Sequence, residues 1–381
     1  MTHKKGNCGR DSEPPFMRNR ARLVGALASA VALAFMLLPR AASAQVEVPC
    51  SQYNDPRLAS MTDDGIGYTS TLGLAAGRYA LPATSPSHSH SEKPGAHRRP
   101  TELVVMFHGH GNDSCSWRRH LQDVAARGAI GVAMDYTGQR QTPWPNYGWF
   151  VREGAADSIA AAKYFVTAYP SIKKVIAFGI SMGGNASGVA VASKDAVRAD
   201  GSPLFDDWVD IEGVNNLTEE YLVARGVAPV NTGGAQAQQE IEEENGGPLE
   251  AVPARYAEIT NVARAQDMKA LKGAVVVNGL DDGLVPTNQS PEMTAALSAV
   301  GVPVHQFTVL ARGDGEPGTT ATAVAAGPVL GAAGQTYTSP FAGHGWEGSD
   351  TQLVIKTGLE QLYSLLGGSA VTSGETVVPG V

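Results

Sequence analysis

The sequence has few charged residues, few aromatic residues and no excess of basic ones. Of its 381 residues, 17% are charged and 7% are aromatic, and Asp and Glu outnumber Lys and Arg by 37 to 29. An acidic chain of this kind is a poor partner for nucleic acid or for an anionic membrane surface. The chain contains no internal repeat, and 43% of it is hydrophobic. This composition predicts a globular protein and excludes a disordered or fibrous one.

A long apolar run is also missing. The run at residues 23–38 has only 16 residues and is rich in Ala, which is short for a membrane span. Arginines at positions 18, 20 and 22 precede it, and the small residues at 42–44 follow it. This pattern predicts that residues 1–44 are a secretory signal peptide, cleaved after Ala44. A membrane anchor is the alternative, but we expect a secreted or periplasmic protein without a stable membrane span.

Removal of the signal peptide changes the charge and the cysteine content. The first 44 residues contain seven Lys and Arg and two Asp and Glu, so their loss lowers the net charge from −8 to −13. Cys8 is lost with them, and Cys50 and Cys115 remain. In an oxidising compartment we expect these two to form a disulfide, with two separate thiols as the alternative.

Predicted strands and helices alternate along the rest of the chain. Continuous apolar runs predict strands at 102–110, 129–136, 173–181, 208–214, 273–282 and 303–310. Helical patterns lie between and after them, at 115–128, 151–169, 182–193, 290–301 and 350–366. Apolar strands that alternate with helices predict an α/β fold, with a mostly parallel sheet and helices on both of its faces. Functional residues are expected at the carboxyl ends of the strands.

The organisation of the chain follows from this alternation and from the segments that break it. Residues 81–101 and 311–343 are predicted to be long loops. The first of them contains His88, His90 and His97, for which we favour a solvated loop over a metal site. The predicted parts are an N-terminal extension (45–67), a core in two pieces (68–214 and 269–366), a polar cap insertion (215–268) and a flexible tail (367–381).

One serine is flanked by glycines at the point where a predicted strand becomes a helix. Gly179-Ile180-Ser181-Met182-Gly183 is a G-x-S-x-G element in the strand-turn-helix context of a nucleophile elbow. The turn is so tight that a Cβ at either glycine would collide with neighbouring backbone. It would hold the hydroxyl above the sheet, beside the positive end of the following helix. Ser181 is therefore a candidate nucleophile.

A serine nucleophile needs a base and an acid, which follow it in the order Asp or Glu and then His. Asp282 lies on the loop that leaves the predicted strand 273–282, and it is preferred over the adjacent Asp281. His344 lies between two glycines in a loop before the last helix, whereas His305 begins a strand. We therefore predict a Ser181, Asp282 and His344 triad. Glu212, at the end of another predicted strand, is the alternative acid.

An oxyanion site requires backbone N–H groups that face the reacting carbonyl. The amide of Met182 is one candidate, because this residue begins the helix after the serine. The other is the amide of His110 or Gly109, in the bend that follows the strand at 102–110. His108 and His110 could instead bind zinc, but no third ligand follows at a suitable spacing.

These elements together resemble the α/β-hydrolase superfamily over about residues 68–366. The resemblance is carried by "FHGHG", "GISMGG", "NGLDDGLVP" and "GHGW", which occur in the order of that family. The chain is most similar to secreted esterases, polyester depolymerases and the catalytic domain of prolyl-oligopeptidase-type peptidases. The resemblance implies the α/β-hydrolase fold, a triad and oxyanion amides at the residues named above, and no metal or organic cofactor.

The expected activity is that of a secreted serine hydrolase that cleaves small-molecule or polymeric carboxylic esters through an acyl-enzyme. A serine peptidase acting on short peptides and a non-catalytic binding protein on the same fold are the alternatives. Several aromatic residues near predicted loops are candidates for an acyl-binding subsite, although they could equally pack the loops; these are Trp117, Trp144, Tyr147, Trp149 and Trp346. The oligomeric state cannot be predicted from the sequence.

Overall fold

The chain is described in a computed structural model that covers residues 66–71, 75–83, 99–139, 148–280, 282–310, 329–330, 336–337, 344–349 and 351–379. All of these residues belong to one compact unit, 45–381. The predicted signal peptide, Cys50 and the three histidines at 88, 90 and 97 lie outside the described residues. No helix within the described ranges has the length and apolar character of a membrane span.

Nine strands of the described chain form one twisted sheet in the order β1-β2-β4-β3-β5-β6-β7-β8-β11. The pairs β1-β2 and β2-β4 are antiparallel, and all other pairs in this sheet are parallel. The predicted mostly parallel sheet is therefore confirmed. The strands are β1 Ile66–Thr71, β2 Ala75–Ala80, β3 Glu102–Phe107, β4 Ile130–Met134, β5 Lys174–Ile180, β6 Asp207–Ile211, β7 Gly273–Gly279, β8 Val304–Val309 and β11 Gly374–Val378, and a separate hairpin contains β9 Val329–Leu330 and β10 Thr336–Tyr337.

Helices cover both faces of the sheet, as the apolar strands predict. In β3, Leu103 and Val105 belong to one buried cluster, and Val104 and Met106 belong to another on the opposite face. The helices α2, α3 and α7 contribute to the first cluster, and α1 and α8 contribute to the second. The helices are α1 Arg118–Ala126, α2 Val151–Ala168, α3 Met182–Val191, α4 Leu217–Val227, α5 Thr232–Asn245, α6 Pro253–Glu258, α7 Gln289–Ala299 and α8 Leu353–Leu366.

The polar segment between β6 and β7 folds as helices. It contains α4, α5, α6 and a 3₁₀ helix, Asn261–Met268, and we call it the helical insertion. Its helix starts have local causes: the side chain of Asn216 accepts the N–H of Glu219, and Asn231 caps α5 in the same way. A left-handed glycine, Gly246, ends α5. The insertion therefore has well-defined helix ends despite its polar sequence.

The C-terminal segment differs from the prediction. Residues 367–381 were expected to form a flexible tail, but Gly374–Val378 form β11, parallel to β8. The physical reason is that β8 would otherwise be a sheet edge with unpaired backbone groups, and the β-branched residues of β11 suit a strand. This part of the predicted tail is therefore wrong.

The parallel strands bring distant parts of the sequence to one edge of the sheet. The strands β3, β5, β6 and β7 are consecutive neighbours and run in the same direction. The residues that follow their carboxyl ends include His108, Ser181, Glu212 and Leu280. The strand order also reverses between β3 and β5, because β4 lies on the other side of β3. Such a switch point is where open α/β sheets commonly bind ligands.

Candidate active site

Ser181 occupies a strained turn between β5 and α3. Its backbone has φ 57° and ψ −129°, and Glu212 is the only other non-glycine residue with positive φ in the described ranges. The Ser181 N–H donates to the carbonyl of Ile211 at 3.0 Å, and its own carbonyl accepts the N–H of Asn185 at 3.1 Å. Ser181 is half-buried, whereas Ile180 and Met182 on either side are buried. Strain of this kind is characteristic of functional sites.

The two glycines of the turn are required by close backbone approach. A Cβ on Gly179 would overlap the carbonyl oxygen of Gly183, and a Cβ on Gly183 would overlap the carbonyl oxygen of Phe107. The second contact packs the start of α3 against the end of β3. The predicted steric reason for both glycines is therefore confirmed.

Asp282 and His344 form a well-oriented pair. His344 Nδ1 lies 2.9 Å from Asp282 Oδ2, and both side chains are almost fully buried. The other oxygen of Asp282 accepts the backbone N–H groups of Leu284 and Val285, at 2.8 and 3.0 Å. Burial would lower the pKa of His344, but the charge and hydrogen bond of Asp282, together with the charges of Glu212 and Glu347, raise this pKa to about 9. The carboxylate is thus held in the position of the acid of a triad.

Glu212 lies beside this pair at the end of β6. One oxygen, Oε2, accepts the N–H of Gly345 at 2.6 Å and lies 3.6 Å from His344 Nδ1. Burial, and next the charge of Asp282, raise the pKa of Glu212 to about 8. Glu212, Asp282 and His344 each offer a ligand atom within 4.8 Å of the others, so this cluster could also hold a metal ion. Glu212 is farther from the imidazole than Asp282, at 3.6 Å against 2.9 Å, and its hydrogen bond is to the backbone of Gly345.

The histidine loop packs against the strand that ends at the serine. A Cβ on Gly345 would lie 3.1 Å from Ile180 Cδ1, so the residue after His344 contacts the residue before Ser181. With Nδ1 of the imidazole bound to Asp282, Nε2 is the nitrogen left to accept a proton. The contacts of the described residues include no hydrogen bond between the Ser181 hydroxyl and His344. The structure brings the three side chains to one edge of the sheet, and the proton transfer between serine and histidine remains a proposal.

The predicted oxyanion segment lies directly against the nucleophile. A Cβ on Gly109 would be 3.4 Å from Ser181 Cβ, so this backbone passes next to the serine. The Gly109 N–H donates to Glu347 Oε1 at 2.6 Å. The sequence predicts the amide of either Gly109 or His110 as an oxyanion donor, and the Gly109 amide already donates to a carboxylate. His110 remains the predicted donor from this loop, and the buried Met182, first residue of α3, remains the other.

The two histidines of this segment have different environments. His108 is buried, its ring stacks on Tyr136 with centroids 3.9 Å apart, and burial lowers its pKa to about 4. His110 is partly exposed, and its Nε2 forms an ion pair with Glu240 of the helical insertion. The metal-ligand cluster found in the described residues involves neither of them. The alternative of a zinc site at His108 and His110 therefore gains no support.

The aromatic residues predicted to bind substrate have separate outcomes. Trp117 is fully buried, and its ring contacts Phe178 edge-on at 5.3 Å, so its assignment to a substrate subsite is wrong. It is a core residue because the 3₁₀ helix Ser114–Trp117 turns it inward. Trp149 is also buried. Trp346 is half-buried two residues after His344, and Trp144 and Tyr147 lie outside the described residues.

Several buried carboxyl groups of the site escaped the sequence analysis. Glu347 contacts Gly109, Glu240 contacts His110, and Glu220 in α4 has a pKa raised to about 8, by burial first and then by the charge of Asp282. The only available signal for Glu347 was its position three residues after His344. The other two have no such signal, because each is one of several acidic residues on its helix and the sequence does not show which of them is buried.

Comparison with known proteins yields structural matches only. No family model matches the sequence, and neither does any curated protein. A puromycin-hydrolysing peptidase from Mycobacterium tuberculosis has 18% sequence identity and a TM-score of 0.51, with 82% of this chain and 40% of that chain covered. An esterase from Thermogutta terrifontis has 16% identity and a TM-score of 0.49, with 82% and 97% covered.

A third solved structure, an acylaminoacyl peptidase from Pyrococcus horikoshii, has 16% identity and a TM-score of 0.46, with 64% of this chain and 36% of that chain covered. The chain thus spans less than half the length of either peptidase. At such identities the likeness concerns the fold alone, and it agrees with the fold expected from the motifs.

Proposed function

We propose that this chain, which has the α/β-hydrolase fold, is a serine hydrolase that forms an acyl-enzyme on Ser181. The observation that carries the proposal is the Asp282–His344 pair, 2.9 Å apart, at the sheet edge where Ser181 is held in a strained turn. The Asp282–His344 pair could also be purely structural, but a structural ion pair does not explain why Ser181 has a strained backbone between two glycines that tolerate no Cβ.

The proposed mechanism assigns one role to each group. His344 Nε2 takes the proton of the Ser181 hydroxyl as the oxygen attacks a carbonyl carbon, and Asp282 stabilises the resulting imidazolium. The amides of His110 and Met182 stabilise the oxyanion of the tetrahedral intermediate. His344 then passes the proton to the leaving group, and water clears the acyl-enzyme with the same histidine as base.

Within this reaction class we propose a carboxylic ester as the substrate. An alcohol leaves more easily than an amine, so an ester places a smaller demand on a site built from a triad and two backbone amides. The second candidate is a peptidase acting on short peptides. A solved structure that shares the fold at a TM-score of 0.51 is a peptidase, and this likeness keeps the peptidase in consideration.

The test compares p-nitrophenyl esters of graded acyl length with peptide p-nitroanilides. Ester turnover that disappears in Ser181→Ala but persists in Ser193→Ala would support the esterase; Ser193 is a half-buried serine just after the end of the same helix and serves as the control. A preference for the anilides would favour the peptidase. If the wild-type protein turns over neither substrate and a fluorophosphonate does not label Ser181, the chain is a non-catalytic binding protein.

Export is a separate part of the proposal. Residues 1–44 are proposed as a signal peptide, so the protein recovered from the periplasm or medium should begin at Gln45. Cys115 is buried, and its proposed partner Cys50 lies outside the described residues. A disulfide would appear as a Cys50–Cys115 peptide pair in a non-reducing digest. An N-terminus at any other residue would refute the proposed cleavage site.

A further inference from the structure

The loop that approaches the nucleophile is held by a carboxylate outside the triad. Glu347 Oε1 accepts the N–H of Gly109 at 2.6 Å, and Oε2 accepts Asn112 Nδ2 at 3.1 Å. Glu347 is 2% exposed. Hydrogen bonds to a buried carboxylate are among the strongest that a backbone amide forms. Residues 109–112, which we call the oxyanion loop, are thus fixed at both ends by one side chain.

The same short segment carries both this carboxylate and the proposed base. Glu347 follows His344 by three residues, and Gly345 between them binds Glu212. The oxyanion loop in turn lies against the serine, since a Cβ on Gly109 would be 3.4 Å from Ser181 Cβ. A shift of the segment at 344–347 would therefore move the base and the oxyanion loop together.

A second carboxylate, on the helical insertion, also binds the oxyanion loop. Glu240 of α5 binds the imidazole of His110, and Gln236 Nε2 donates to the other oxygen of Glu240 at 2.8 Å. Burial would raise the pKa of Glu240, but the hydrogen bond and the charge of His110 lower it. The helical insertion thus contacts the proposed active site through the hydrogen-bonded side chains of Glu240 and His110.

From these contacts we propose that Glu347 and Glu240 are positioning residues of the oxyanion site. Glu347 binds the amide of Gly109, and Glu240 fixes the side chain of His110, whose amide is the proposed oxyanion donor. The physical reason is that an oxyanion donor is effective only when it is held in place before charge develops. This inference rests on the proposed function, because it assumes a tetrahedral intermediate on Ser181.

The decisive variants are Glu347→Gln and Glu347→Ala. Gln retains one acceptor for the Gly109 N–H, whereas Ala removes both hydrogen bonds. We expect Glu347→Ala to lower kcat by about 10- to 100-fold with little change in KM, the range for a displaced oxyanion donor. Glu347→Gln should fall between Glu347→Ala and the wild type. If the Ala variant does not fold, as judged by circular dichroism, the Gln variant alone still tests the proposal.

Phenylboronic acid provides a readout that a merely structural role would not change. The Ser181 oxygen forms a bond to boron while the hydroxyl proton passes to His344, and the product is a tetrahedral boronate anion that mimics the intermediate. We expect its inhibition constant to rise by about the same factor as kcat falls, because both depend on the oxyanion donors. A fall in kcat without loss of boronate affinity, or a rise in KM alone, would overturn the assignment of Glu347.

Glu240→Gln tests the contact with the helical insertion, and Glu243→Gln is its matched control. Glu243 lies three residues later on α5 and pairs with Gln239 at 2.8 Å, but it is exposed and does not contact the oxyanion loop. We expect a kcat about 5-fold lower for Glu240→Gln, roughly the effect of one weakened hydrogen bond, and wild-type kcat for Glu243→Gln. Equal rates for both variants would refute the role of Glu240.

The experiments distinguish a failure of the proposed function from a failure of the positioning role. If wild-type protein has neither turnover nor boronate binding, the proposed function is wrong and the positioning role fails with it. If wild type is active and boronate-sensitive while Glu347→Ala retains its kcat and boronate affinity, only the positioning role fails.

Discussion

The choice between Asp282 and Glu212 as the acid can be decided by two isosteric variants. Coulomb's law at an effective dielectric constant of about 20 gives roughly 6 kcal/mol for unit charges at 2.9 Å and roughly 5 kcal/mol at 3.6 Å. These are the distances from His344 Nδ1 to Asp282 and to Glu212. A difference of about 1 kcal/mol cannot by itself assign the role. The hydrogen bonds decide it.

In Asp282→Asn, the amide should be forced into the wrong orientation. The oxygen that faces Leu284 and Val285 accepts two backbone N–H groups, so Asn would keep its oxygen there and direct its NH₂ at His344. The imidazole would then carry its proton on Nε2, where it can no longer accept the proton of Ser181. We expect kcat/KM to fall by about 10³- to 10⁴-fold, the range for loss of the acid in serine proteases.

Glu212→Gln should have a much smaller effect. With its pKa at about 8, Glu212 is largely protonated at pH 7, so the uncharged amide resembles the group it replaces. Its oxygen can still accept the N–H of Gly345. We expect kcat/KM within about 5-fold of wild type at pH 7.

The assay is hydrolysis of p-nitrophenyl acetate or butyrate at pH 7, with thermal unfolding measured for each variant. Asp267→Asn is the control, because it makes the same change from carboxylate to carboxamide on an exposed side chain of the helical insertion. If Glu212→Gln loses more activity than Asp282→Asn while both remain folded, the acid lies on β6 and the reasoning above is refuted.

Three further outcomes are expected. The base must be neutral, and the pKa of His344 is raised to about 9, so kcat/KM should rise with pH through the alkaline range. Glu212→Gln should shift this rise to lower pH, because it removes a charge that raises the pKa of His344. A wild-type rise centred near pH 6.5 would contradict this expectation. Gly183→Ala should lower both the melting temperature and kcat, because its Cβ would overlap a backbone carbonyl of β3. Trp117→Ala should lower the free energy of unfolding in urea by about 3–5 kcal/mol without changing the preferred acyl length, whereas Trp346→Ala should change that preference.

The sequence predicts most of the fold because its signals are local and strong. The strand predicted at 173–181 is observed at Lys174–Ile180, and the helix predicted at 350–366 is observed at Leu353–Leu366. Long apolar runs bounded by glycine and proline define such elements without tertiary information. The sequence also predicts the nucleophile turn, because a Cβ at either of its glycines would overlap neighbouring backbone and no other residue fits there.

The errors concern features that depend on distant partners. The strand at 374–378 exists because β8 offers a free edge, which cannot be inferred from a short segment near the C-terminus. Trp117 lies in the first turn of the helix predicted at 115–128, and the sequence does not show which side of that turn faces the sheet. Its burial against Phe178 depends on how the 3₁₀ helix is oriented over the sheet.

The contacts of the proposed active site are mainly of this long-range kind. Glu347 meets Gly109 across 238 positions of sequence, and Glu212 meets Gly345 across 133. Neither pair is formed until β3, β6 and the histidine loop have taken their places around the sheet. Such contacts are not visible in local sequence patterns, because they join segments that only the folded sheet brings together. The segment at 344–349 contributes both His344 and Glu347, so a displacement of this segment would move the proposed base and the oxyanion loop together, and either one is a sensitive reporter of the other.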